Sequence, residues 1–207
     1  MGENPAFVAL FGSLRDLGFH RHASRIHTLD VASEKLGWLG LNAASRTRPP
    51  GEIMLHPVVG VRDQVIERNV AEGRGEPFHH YLPPTVSVPL RSLRPTGTAR
   101  EWILGRGQGS DTAVVDDLTD CLVRYAMPYY AQQSQPREMV ATLEAMWANW
   151  QDAAYRWPIA LWMVGEPRAA AEALDQVVAS LGRRDDYAAR EMREYAVRVR
   201  ARFKDAD

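Results

Sequence analysis

Histidine is the residue type in this chain whose placement comes nearest to chemistry, because imidazole serves as acid, base and metal ligand near neutral pH. His20, His22 and His27 fall within GFHRHASRIHTLD, residues 18–30, beside Arg21 and Arg25. On a strand, alternate side chains share a face. His20 and His22 then lie with Ser24 and Ile26, while His27 lies with Phe19, Arg21, Ala23 and Arg25 on the other face. At most two of the three can act together. A metal would need His20, His22 and a third ligand such as His56, carried by a nearby strand about 5 Å from its neighbour. No carboxylate is tied to the pair, so a polar strand that binds no metal is expected.

His79 and His80 stand in EPFHHYLPP, followed by Tyr81. The flanking prolines make this a loop, and adjacent side chains point apart. Catalysis would require a nucleophile or an orienting acid beside the imidazole, and the chain has no GxSxG elbow or other nucleophile signature. Because loops carry function more often than cores do, His79, His80 and Tyr81 read as binding residues, with no catalytic residue assigned.

Other patterns resolve toward structure. GRGQG, 105–109, follows a candidate strand and precedes a helix, but it lacks the lysine of a phosphate loop, and residue 110 breaks the GxGxxG spacing. Asp116, Asp117 and Asp120 cluster early in a helix, where its dipole favours acids. Cys121 lies on an apolar helical face and reads as a buried, inert thiol. Trp147, Trp150, Trp157 and Trp162 suit a core between helices, and any that is exposed would mark a protein contact. The arginines from Arg183 to Arg202 are interspersed with acids, as on a solvated helix face.

The 207 residues suit one compact domain or two small lobes. Lys and Arg number 25 against 26 Asp and Glu, so no basic excess points to nucleic acid. The single cysteine excludes an internal disulfide and a cysteine-based zinc site. The start has no signal-peptide pattern and no apolar run reaches spanning length. A cytoplasmic location with no membrane, no nucleic acid and no cofactor is expected.

The elements that must position these residues follow from periodicity. Phe7, Leu10, Phe11, Leu14 and Leu17 share a helical face between Pro5 and Gly18. FHRHASRIHTL, KLGWLGLNAA and GEIMLHPVVGV read as three strands of an antiparallel meander, and RDQVIERNVAE as a short helix. TVSVPL and REWILG extend the sheet. Helices follow from Gly109 onward: one through Leu118, Cys121, Leu122 and Tyr125, one capped by Ser134 ahead of Pro136, a hairpin turned at Gly165 and Pro167, and a last helix through Met192, Tyr195 and Val199. Strands first and helices afterwards predict an α+β fold, with an N-terminal helix, a sheet of about five strands and four to five C-terminal helices. The expected division is a sheet lobe over 1–109 and a helical lobe over 110–207.

LRDLGF before HRHASRIHTL, the strand ending LGLN, IMLHPVVGV leading into a helix, REWIL, and LVRYAMPYY ahead of a tryptophan-rich hairpin together resemble a bacterial group of uncharacterised domains. Members share the helix, meander and helical second half, built around a segment like Tyr125 to Pro128, and some relatives look like immunity or accessory proteins of toxin loci. The resemblance implies a non-enzymatic, immunity-like domain that binds a protein partner, and it supplies no catalytic residue. On that reading the contact surface is His20, Arg21, His22, Arg25 and His56, with His79, His80 and Tyr81 of the 76–84 loop. Two other readings stand beside it: a small-ligand protein or enzyme using these histidines, and a homodimer that buries its tryptophans.

Overall fold

The computed structural model describes residues 5–23, 25–44, 48–96 and 101–204, so Ser24 and Arg100 of the segments above lie outside it. The fold is α+β. Helix α1 (Pro5–Asp16) buries Phe7, Leu10 and Leu14 at the expected spacing. The helix ends where Gly18 takes a positive φ of 88°, with the Phe19 amide donating to the Leu14 carbonyl.

Among the described residues six strands follow, one more than expected. They are β1 (His20–Ala23), β2 (Ile26–Ala32), β3 (Lys35–Ala44), β4 (Ile53–Asp63), β5 (Val86–Pro89) and β6 (Trp102–Leu104). The first five lie in the order β1-β2-β3-β4-β5, and β6 pairs with β4. The extra strand corrects the reading of FHRHASRIHTL as a single strand. The chain reverses after Ala23, placing His20 opposite Thr28 and Arg21 opposite His27. Folding it back lets the exposed β1 pair with β2, whose His27 and Thr28 bury beside β3.

The chain forms two compact units, and they interleave instead of dividing at residue 109. One is Met1–Val61 with Ser87–Gln132, and the other is Arg62–Val86 with Gln133–Asp207. In the first, α1 and β6 pack on α3 (Gln108–Cys121), which buries Val115, Leu118 and Cys121. A π turn (Leu122–Ala126) joins α3 to α4 (Met127–Gln133). On α4, Tyr130 is buried and its hydroxyl donates to the Trp38 carbonyl at 3.1 Å. Gly37 of β3 makes room for that ring, since a Cβ there would stand 2.9 Å from it. The GRGQG segment is a turn with strict backbone demands. Gly105 has φ 92°, and a Cβ on it would fall 2.0 Å from the Gly51 carbonyl oxygen. Because α3 begins at Gln108, the aspartate cluster lies well past its first turn. Asp111 occupies that turn and accepts from the Gly105 and Arg106 amides. Asp117 instead accepts from the Trp102 indole at 2.8 Å and from Arg94 at 3.2 Å.

In the second unit, α2 (Gln64–Arg74) packs with α5 (Pro136–Met146), α6 (Gln151–Met163), α7 (Pro167–Ser180) and α8 (Tyr187–Lys204). Helix α6 contacts all four of the others, and α8 also contacts α7 and α2. Gln135, not Ser134, precedes α5, and no side chain caps that helix; Pro136 takes the first turn as expected. Gly165 turns the α6–α7 hairpin at φ 81°. None of the four tryptophans is fully exposed: Trp147 stacks on Trp157 with centroids 5.6 Å apart, and Trp162 meets Phe203 at 5.7 Å. Four of the five α8 arginines are engaged within the unit. Arg193 donates to the Gly182 carbonyl and Arg198 to the Gly73 carbonyl, while Arg200 pairs with Asp175 and Arg202 with Glu72. Among the described residues no helix is long and apolar enough to cross a membrane.

Candidate functional site

The histidines do not converge. His20, Arg21, His22 and Arg25 are exposed on the β1–β2 hairpin. Their side chains have local partners: His22 Nε2 shares a 2.7 Å hydrogen bond with the Thr28 hydroxyl, the Arg21 guanidinium lies 4.0 Å over the Phe11 ring, and Arg25 lies 5.8 Å over Phe7. Partial burial, with the charge of His20 adding to it, lowers the His22 pKa. His27 on β2 pairs across the hairpin with Arg21, shares its face, and is buried against Phe11. His56 is exposed on β4, which β2 and β3 separate from β1. Three strand spacings amount to about 14 Å, too far for a ligand shared with His20 and His22. His56 instead borders a cavity of about 440 Å³ with Asn42, Arg91, Trp102 and Glu101, whose carboxylate is taken by Arg48 at 3.2 Å. Among the described residues no group of three or more His, Cys, Asp or Glu is arranged to hold a metal ion.

The loop carrying His79 and His80 belongs to the second unit, and Arg62 at the end of β4 and Gln64 at the start of α2 anchor it. Arg62 donates to the His79 and Pro83 carbonyls, and Gln64 Nε2 donates to the His80 carbonyl at 2.8 Å. Phe78 lies beneath two guanidiniums, those of Arg62 at 5.3 Å and Arg68 at 5.2 Å. The His79 ring meets Tyr81 edge-on at 4.4 Å, and His80 meets Phe78 at 5.0 Å. Of His79, His80 and Tyr81, His79 alone lines a cavity of about 280 Å³, which Arg62 and Pro83 also line.

Buried charge distinguishes that cavity. Helix α2 starts at Asp63, whose Oδ1 accepts from the Val65 and Ile66 amides. Its inward stripe runs Ile66, Glu67, Val70 and Gly73, so a carboxylate sits among buried small and apolar residues. Glu67 Oε1 accepts from Arg156 Nε at 2.7 Å and from the Thr85 hydroxyl at 2.8 Å, and Oε2 accepts from Arg156 Nη2 at 3.3 Å. Arg62 Nη1 stands 3.5 Å from the same Oε2. The side chains of Arg62, Glu67 and Arg156 are 1%, 5% and 3% exposed.

Two buried guanidiniums therefore share one buried carboxylate, leaving the triad a net positive charge in a region that solvates charge poorly. Burial, reinforced by the charge of Arg156 against the opposing pull of Glu67, lowers the Arg62 pKa to about 10. Arg62 spends its remaining donors on Gln64 and the loop carbonyls. Arg156 does not. Its Nη1 is buried and makes no hydrogen bond among the described residues, and Asp152 Oδ2 lies 3.8 Å away.

No protein-family model, curated protein or solved structure matches the chain, and the site is read from its own geometry. Arg62, Glu67 and Arg156 belong to no motif built on histidine, so histidine spacing does not reveal them. Two signals were present. Glu67 occupies the apolar stripe of α2, three residues before Val70, and Arg156 stands between Tyr155 and Trp157 in the run AAYRWPIALWM, whose other residues are all apolar or aromatic. A charge at a core position needs a partner or a ligand.

Proposed function

We propose that the protein binds a small molecule bearing an acidic group in the cavity of the second unit. The observation that carries this reading is the Arg156 Nη1 group, a buried cationic donor without a hydrogen bond, set in a triad that holds one carboxylate for two guanidiniums. Unpaired buried donors are costly, and charge-assisted bonds from arginine to carboxylate or phosphate are among the strong ones. The cavity volume lies just below the roughly 300–1,000 Å³ of sites for drug-sized ligands, which points to a metabolite-sized occupant. The immunity-like, partner-binding role expected from the sequence has less support, because Arg21, His22 and Arg25 are engaged by neighbours on their own unit.

Thermal unfolding tests the proposal. At matched ionic strength, inorganic phosphate, acetate or succinate should raise Tm above the value in chloride; a ligand at a hundred times its Kd adds about 2.7 kcal/mol. Arg156→Lys, which keeps the charge and loses Nη1, should abolish the gain. Should that variant not fold, Asp152→Ala supplies the complementary test, because uncovering Nη1 should enlarge the gain. Equal Tm values in all four salts for the parent chain and for Asp152→Ala would remove the reading.

A further inference from the structure

The charge on the cavity wall narrows the ligand. Arg62, Arg74 and Arg156 face Glu67, Glu76 and Asp152, three cations against three carboxylates. The six are not at one depth. The triad is buried, whereas Glu76 and Asp152 are 48% and 46% exposed. Arg74 is held by Glu76 and Glu191, each at 2.8 Å, and lies 4.8 Å over the Tyr155 ring. Asp152 has the loosest pairing of the three carboxylates, the 3.8 Å contact with Arg156 Nη1.

A simple anion seated on Arg156 would take the partner of Asp152 and leave that half-exposed carboxylate without a counter-charge. A ligand carrying an ammonium beside its carboxylate keeps the sum at zero and gives Asp152 a new partner. We infer that the ligand is a small zwitterion of the α-amino-acid kind, with its carboxylate on Arg156 Nη1 and its ammonium on Asp152. Val70, Ala71, Leu82 and Pro83 line the same cavity and offer an apolar wall to an uncharged side chain. This inference rests on the small-acid reading and specifies its ligand.

Titration calorimetry on the full chain separates the two. The probes are L-alanine, L-valine and L-leucine, each against its des-amino acid: propanoate, 3-methylbutanoate and 4-methylpentanoate. At least one amino acid should bind about tenfold more tightly than its des-amino partner, the worth of one charge-assisted contact. Asp152→Asn, a change at a half-exposed position, should bring that amino acid down to the affinity of its partner while leaving the partner's own affinity equal or higher. An advantage below about threefold for every pair, or an amino-acid affinity untouched by Asp152→Asn, would overturn the zwitterion and leave the small-acid reading standing. If neither the amino acids, the des-amino acids nor inorganic phosphate bind, both fall.

Discussion

His27 illustrates how one residue can set a response to acid. It is 1% exposed, packs its ring 5.3 Å from Phe11, and neither ring nitrogen has a hydrogen-bond partner among the described residues. Burial chiefly, and then the charges of Arg21 and His22, lower its pKa from 6.5 to about 4. A depressed histidine pKa means that the unfolded chain takes up the proton first as the pH falls. Its contribution to stability is therefore intact above about pH 6.5, declines between 6.5 and 4, and is gone below 4. The loss is about 3 kcal/mol, on the order of 1.4 kcal/mol per pKa unit. His27→Phe keeps a ring against Phe11 and removes both the proton site and the unpaired nitrogens. Urea midpoints should then be equal or higher at pH 7, with a visibly flatter decline between pH 6.5 and 4. If the two proteins lose stability in parallel over that window, His27 is not the group responsible.

At the scale of elements, two glycines in helices should respond to the same substitution with opposite signs. Alanine in a helix is favoured over glycine by about 1 kcal/mol. At Gly12 of α1 a Cβ meets nothing within 4 Å, so Gly12→Ala should stabilise by about 0.5–1 kcal/mol. At Gly73 of α2 a Cβ would stand 2.7 Å from the Tyr195 ring and 2.8 Å from Val199 of α8. Tyr195 cannot yield easily, being fully buried, with its hydroxyl donating to the Tyr155 carbonyl at 2.6 Å. Overpacking of about 1–3 kcal/mol should exceed the helical gain there, and thermal melts of the two variants should move in opposite directions. The helices themselves were legible from spacing: α1, the α6–α7 hairpin and α8 follow their apolar stripes. The β1–β2 hairpin was not, because its two arms continue one alternating pattern and only the pairing of β2 with β3 selects the fold-back. The cavity was half legible. A glutamate on an apolar stripe and an arginine inside an apolar helix announce buried charge, but that Glu67 and Arg156 meet is a long-range fact no local pattern carries.

For the whole molecule, the interleaved units decide which pieces of chain can fold. Residues 110–207 contain α5 to α8 but lack α2, and α2 supplies the charge partners of that helical group. Without it, Arg156 loses Glu67, Glu191 loses Arg74, Arg198 loses the Gly73 carbonyl and Arg202 loses Asn69 and Glu72. Stranding one buried charge costs about 3–5 kcal/mol, a large part of the roughly 5–15 kcal/mol that holds a domain together. The Tyr195 and Val199 face of α8 would also lose its apolar cover. A 110–207 fragment should therefore show helical far-ultraviolet dichroism without a cooperative melt. Residues 133–207 mixed with a 62–86 peptide should regain one, because together they restore every partner named. A sharp thermal transition from 110–207 alone would mean that α2 is dispensable, and that the boundary near residue 109 read from the sequence is the one the chain obeys.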